Sequence, residues 1–150
     1  MGESLDDIDR TLVRALVANG RATLAELASG TGLSVSAVQS RVRRLESRGV
    51  VTGYTARINP EAVGNLLSAF VAITPLDPSQ PDDAPARLEQ FEAIESCHSV
   101  AGEESYILFV RVASPRALED LLQRIRTAAN VRTRSTIILH TFFSGRQYIP

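Results

Sequence analysis

Between Ser34 and Arg48 the chain places Arg41, Arg43, Arg44 and Arg48 against a single acid, Glu46, a local charge of +3 where the overall formal charge is −1. Polar and mostly small residues, Ser34, Ser36, Gln39 and Ser40, precede them. Guanidinium groups bind phosphate oxygens and the paired acceptors of guanine, and serine and glutamine side chains can hydrogen-bond base edges. The chemistry implied is recognition of duplex DNA. At helical spacing Val35, Val38, Val42 and Leu45 form one apolar stripe. Ser36, Ser40, Arg43 and Ser47 lie opposite, with Gln39 and Arg44 on the flanks. Gln39 and Ser40 are thereby placed to meet base edges and Arg43 to take a guanine through two hydrogen bonds. Arg44 and Arg48 are expected against phosphates, where they set register without reading sequence.

Three helices position that face. Asp6 is a good N-cap for a first helix running to about Val17, with Leu5, Ile8, Leu12 and Leu16 at helical spacing. The acids Asp6, Asp7 and Asp9 read as a helix-start cluster that favours the positive end of the helix dipole. Thr23 and Glu26 form a capping box for a second helix that stops near Gly30. Gly30-Thr31-Gly32 makes the turn, Ser34 caps the third helix, and Gly49 closes it near Arg48. This is a helix-turn-helix pattern. Val50–Ile58 alternates weakly and predicts a connecting strand, broken by Asn59-Pro60.

The remainder alternates element types. Strands are expected at Leu66–Ile73, Glu95–Ala101, Tyr106–Val112 and Thr133–Phe143. A proline-bearing loop, Leu76–Pro85, leads to a helix with Leu88, Phe91 and Ile94 inward. Ser114-Pro115 starts a second helix, with Leu118, Leu121, Leu122 and Ile125 on one stripe. The order β-α-β-β-α-β is ferredoxin-like. The fold class expected is therefore α+β: a winged helix-turn-helix domain over residues 1–53, a linker over 54–64, and a ferredoxin-like sandwich over 65–150. Both faces of the strand Tyr106–Val112 are apolar, Tyr106, Leu108 and Val110 against Ile107 and Phe109. The last strand behaves alike, Ile137 and Leu139 opposing Ile138 and Phe142. Two helices cover only one face of such a sheet, so a second subunit is expected on the other.

Other chemistries find little support. Cys97 and His98 are adjacent on a strand and point to opposite faces, so they make no nucleophile dyad. His140 sits among Ile137, Ile138, Leu139 and Phe142 as a sheet or interface residue. No glycine-rich phosphate loop, metal-ligand spacing or acid–base constellation is present, so neither an enzyme nor a cofactor is expected. One cysteine forms no internal disulfide, the acidic opening MGESLDDIDR has no apolar core, and no apolar run approaches the roughly 18 residues of a membrane span. A cytoplasmic protein is expected.

Taken together, Leu5-Asp6-Asp7-Ile8-Asp9, Gly20-Arg21-Ala22, Glu26-Leu27-Ala28, Gly32-Leu33-Ser34, Arg41-Val42-Arg43-Arg44-Leu45-Glu46, Gly49-Val50-Val51 and Ile58-Asn59-Pro60-Glu61 with Gly64 resemble the Lrp/AsnC (leucine-responsive, or feast/famine) transcription regulators. The resemblance runs through essentially the whole chain. It implies a DNA reader joined to a sensor of small effectors, usually amino acids, and dimers that assemble into octamers. It implies an effector site at the loop joining the second and third sheet strands, Gly102-Glu103-Glu104-Ser105, with Val100, Thr133 and Ser135 as further candidates. The family pattern Gly-x-x-Asp is met at Gly102, whereas Ser105 stands where the acid belongs. Backbone N–H groups at Gly102 suit a carboxylate, and Glu103 or Glu104 could accept from an ammonium. The rival readings are an effector-insensitive architectural protein that bridges DNA as an octamer, and, more remotely, an enzyme built on the sheet domain.

Overall fold

The computed structural model describes residues 4–79 and 82–150 of the 150-residue chain. The chain folds as two compact units. One comprises the residues up to Arg57 together with Phe143–Pro150, and the other is Ile58–Phe142.

The first unit is helical. Its elements are α1 (Asp7–Ala18), α2 (Leu24–Thr31) and α3 (Val35–Ser47). Each begins where a short polar side chain satisfies an otherwise orphaned N–H. Asp6 accepts from the Asp9 amide, Thr23 from the Glu26 amide, and Ser34 from the Ala37 amide. Glu26 returns the bond to the Thr23 amide at 2.7 Å, completing the capping box. Gly32 takes φ of 70°, the left-handed conformation that lets α2 end and α3 depart within three residues. Leu12, Leu27, Val38, Val42 and Leu45 are buried in the shared core.

Details of this unit and its boundary differ from the sequence expectation. Val35 is 47% exposed, so the packed stripe of α3 begins one turn later, at Val38. Residues 50–58 form no strand and no wing is present among the described residues, because a strand exists only where a neighbour completes its ladder and the described residues supply none. The sheet unit stops at Phe142 rather than continuing to Pro150. Ile149 packs against the helical core, and the Pro150 carbonyl accepts from Arg14 at 3.1 Å.

The second unit opens with a 3-10 turn at Glu61–Val63 and continues through β1 (Leu67–Pro75), α4 (Ala84–Leu88), β2 (Ile94–Ser99), β3 (Tyr106–Val112), α5 (Pro115–Ala129) and β4 (Val131–Ile138). The four strands form one antiparallel sheet in the order β2-β3-β1-β4. Ala69, Val71 and Ile73 of β1 and Leu108, Val110 and Val112 of β3 are buried with Leu118, Leu121 and Ile125 of α5. α4 is shorter than expected. It ends at Leu88, where the Phe91 amide turns back to the Leu88 carbonyl, and Ile94 starts β2 instead of extending the helix. β4 runs from Val131 only to Ile138, so Leu139 and Phe142 lie beyond it, 95% and 88% exposed.

The face of the sheet away from the helices carries Phe70, Ile107 and Phe109. Phe70 is 47% exposed, and its ring lies 5.5 Å from that of Phe109. Cys97 pairs opposite the buried Leu108 and His98 opposite Ile107, which sends their side chains to different faces.

Candidate nucleic-acid interface and effector loop

α3 presents one polar face built from its first turn onward. Ser36, Gln39, Ser40 and Arg43 are all exposed. The Ser34 hydroxyl lies 3.2 Å from that of Ser36 and accepts from the Ala37 amide at 3.2 Å, so its first task is to cap the helix. Arg43 makes no ion pair among the described residues and projects from the middle of the outward face. Small side chains before it allow the helix axis to come close to a surface, and a free guanidinium after them supplies two parallel donors. Arg48 occupies the C-cap, its amide bonded to the Arg44 carbonyl. Tyr54 reaches back to donate its hydroxyl to Glu46 at 2.9 Å.

Arg44 behaves differently from the sequence expectation. Its Nη2 lies 3.1 and 2.8 Å from the two oxygens of Asp9, a residue only 1% exposed. Arg41, to which the sequence pattern gives no separate role, places Nη1 at 2.9 Å from Asp9 and 2.6 Å from Asp6. The bond from Arg41, with help from the Asp9 amide, holds the Asp6 carboxyl below the usual aspartate range, and the carboxylates of Asp6 and then Asp9 raise Arg41. Two of the four arginines, one of them the phosphate candidate Arg44, are therefore bound within the protein. The signal was present in the sequence: Asp9 falls at helical spacing from Leu5, Leu12 and Leu16, so it stands on the buried stripe of α1 and not on its solvated face.

The loop after β2 is held at both ends of its span. The Val100 amide donates to the Ser105 carbonyl at 3.1 Å, and the Ser105 amide donates to the Ile73 carbonyl at 3.1 Å. Ser105 thus fastens the loop to β1 through its backbone, leaving its side chain as the only part that differs from an acid at this position. Gly102 is exposed, and a Cβ added there would meet nothing within 4 Å. Glu103 is exposed, whereas Glu104 is half-buried and forms an ion pair with Arg134 of β4.

Not all of the expected effector residues gather. The register sets Thr133 and Ser135 opposite Ile73 and Val71, on the helix-covered face, while Arg134 opposite Ala72 points the other way. Thr133 accepts from Arg126 of α5 at 3.0 Å, in keeping with the face it occupies. Within one chain the partner of the loop acid is Arg134, a residue that stands between two sequence candidates without being one of them. A charged residue flanked by Thr133 and Ser135 on a two-residue period was the available clue.

Comparison with known proteins places both units. A model of the AsnC-type helix-turn-helix domain matches residues 5–46, and one of the Lrp/AsnC ligand binding domain matches residues 68–148. The chain is 83% identical over 150 residues to the HTH-type transcriptional regulator LrpA of Mycobacterium tuberculosis, covering 100% of both chains. It is 40% identical over 124 residues to the leucine-responsive regulatory protein of Salmonella typhimurium, covering 81% of this chain and 75% of that one. Among solved structures, a feast or famine regulatory protein from M. tuberculosis complexed with L-methionine superposes with a TM-score of 0.96 at 83% identity, over 98% of this chain and 100% of that one.

Proposed function

We propose how this chain, which belongs to the Lrp/AsnC family of transcriptional regulators, reads DNA and is controlled: α3 enters the major groove, and an amino acid held at the loop 100–105 modulates binding. The observation that carries the first half is the exposed face of Ser36, Gln39, Ser40 and Arg43 on a helix whose opposite side is sealed into a core. Gln39, Ser40 and Arg43 read base edges, and Arg48 and Ser34, the latter beside the helix N-terminus, meet the backbone. Arg44 is left out of this set because Asp9 holds it.

The effector half rests on the loop geometry and on the methionine bound to a regulator 83% identical to this chain. Backbone amides near Gly102 take the carboxylate, Glu104 takes the ammonium, and the side chain is accommodated by apolar surface, which gives broad specificity among apolar amino acids. The uncovered sheet face with Phe70 and Phe109 pairs subunits into dimers, which build the octamer in the cytoplasm. No helix among the described residues is long and apolar enough to cross a membrane.

The experiment is a thermal-shift screen of the full chain against the common amino acids, followed by mobility-shift titration of duplex DNA with and without each stabilising one. A ligand that binds only the native state raises the melting temperature. L-Methionine should stabilise the protein and alter DNA binding. Stabilisation by no amino acid, with DNA binding intact, would leave the architectural reading in place of the sensor.

A further inference from the structure

We propose that Asp9 holds Arg41 and Arg44 back from the phosphate backbone, and so limits the sequence-independent part of DNA binding at α3. The inference rests on the reading of α3 as the DNA-contacting helix. Asp9 is 1% exposed and uses both oxygens, one shared between Arg41 and Arg44 and the other taken by Arg44. Asp6 adds a second carboxylate on the same Arg41 nitrogen. Two carboxylates face two guanidiniums, so the four groups together carry no net charge. A phosphate approaching Arg44 would have to draw it from a carboxylate that has no water to turn to, and an unpaired buried charge is the costly state of such a pair. Arg41 is pinned harder still, between two acids and with only 26% of its side chain exposed.

The consequence is a division of labour along α3. Sequence-independent affinity follows the number of phosphates neutralised, while discrimination follows contacts to base edges. Cancelling two of the four arginines lowers the first without touching Gln39, Ser40 or Arg43, on which the second depends. Asp9 is therefore a positioning residue for backbone affinity. It meets no DNA and acts through the two guanidiniums it retains.

The test compares two duplexes, one enriched by the wild-type chain from a random pool and one of random sequence, titrated at several salt concentrations. In Asp9→Asn the random duplex should bind about fivefold to tenfold tighter near 0.1 M salt, with a slope of log K against log salt steeper by about one unit per arginine released. The ratio between the two duplexes should stay the same, because phosphate contacts strengthen both alike. Arg44→Gln, which leaves Asp9 paired with Arg41, should keep the wild-type slope. If Asp9→Asn gives no cooperative melt, Arg44→Gln decides alone. A folded Arg44→Gln whose slope drops by about one unit overturns the proposal, as does a folded Asp9→Asn with unchanged or weakened binding to the random duplex. Arg43→Ala in the same assay tests the reading of α3 separately. Preserved preference there removes that reading and this inference with it, whereas lost preference together with a lowered Arg44→Gln slope removes this inference alone.

Discussion

Glu104, in the loop after β2, is paired with Arg134 of β4, so the carboxylate proposed to receive an ammonium already has a cation beside it. A bound amino acid would exchange one charge-assisted partner for another. Such an exchange favours a modest affinity.

Replacing that acid should have a measurable cost. Glu104→Gln is expected to weaken binding of L-methionine about tenfold, the scale of one charge-assisted hydrogen bond. Calorimetry on wild type and variant gives both affinities. Equal values would move the ammonium site away from this loop.

The exposed face of α3 makes a second prediction. Arg43→Ala should relax sequence preference and cost roughly 1–3 kcal/mol in specific binding. Arg48→Ala should weaken all duplexes alike and lower the salt slope by about one unit. Competition binding with mutated duplexes separates the two, and an Arg43→Ala variant that still rejects mutated sites would exchange or cancel these roles.

A third concerns the sheet. Phe109→Glu places a charge beside Phe70 on the apolar face that the helices leave open. An ionised carboxylate buried against apolar surface without a partner is strongly disfavoured, so the oligomer should dissociate toward smaller species. Light scattering reads the mass, and circular dichroism checks that the protomer remains folded. A variant of wild-type mass would place the interface elsewhere.

The helix caps predict a dependence on acidity. Glu26 is held below its ordinary value of 4.5, chiefly by the Thr23 amide and then by its hydroxyl. Asp6 is held below 3.8, chiefly by Arg41. Groups depressed on folding stabilise the native state above their unfolded values, and that contribution disappears as pH falls through the folded ones. The melting temperature should therefore decline as pH drops below about 4.5, less steeply in Glu26→Gln than in wild type. Identical curves for the two would remove Glu26 from the account.

What could be read in advance was what is local. The N-caps Asp6, Thr23, Ser34 and Ser114 each bond an amide three residues on, and each helix starts where its cap predicts. β3 occupies Tyr106–Val112 as its apolar run requires. The misread features depend on distant partners. The spacing of Asp9 puts it on the buried stripe of α1, but nothing local names its partners until α3 brings Arg41 and Arg44 against it. Val50–Ile58 has a strand-like composition but no neighbour among the described residues to pair with. Thr133 and Ser135 belong to the right strand, yet the register with β1 turns them from the face on which Arg134 stands. Of the proposed site, the exposed groups of α3 were legible from periodicity, and the loop from its resemblance to a family. Its internal ion pairs were not.

The packing of Ile149 against the helical core, with the bond from Arg14 to the Pro150 carbonyl, also orders events during synthesis. The helical unit is interrupted in sequence by residues 58–142, so its final contacts must wait until that whole stretch has left the ribosome. A sheet unit composed of consecutive residues faces no such delay. Newly made chains can thus form the surface that carries Phe70 and Phe109 before Ile149 has packed against the core of the DNA-reading unit.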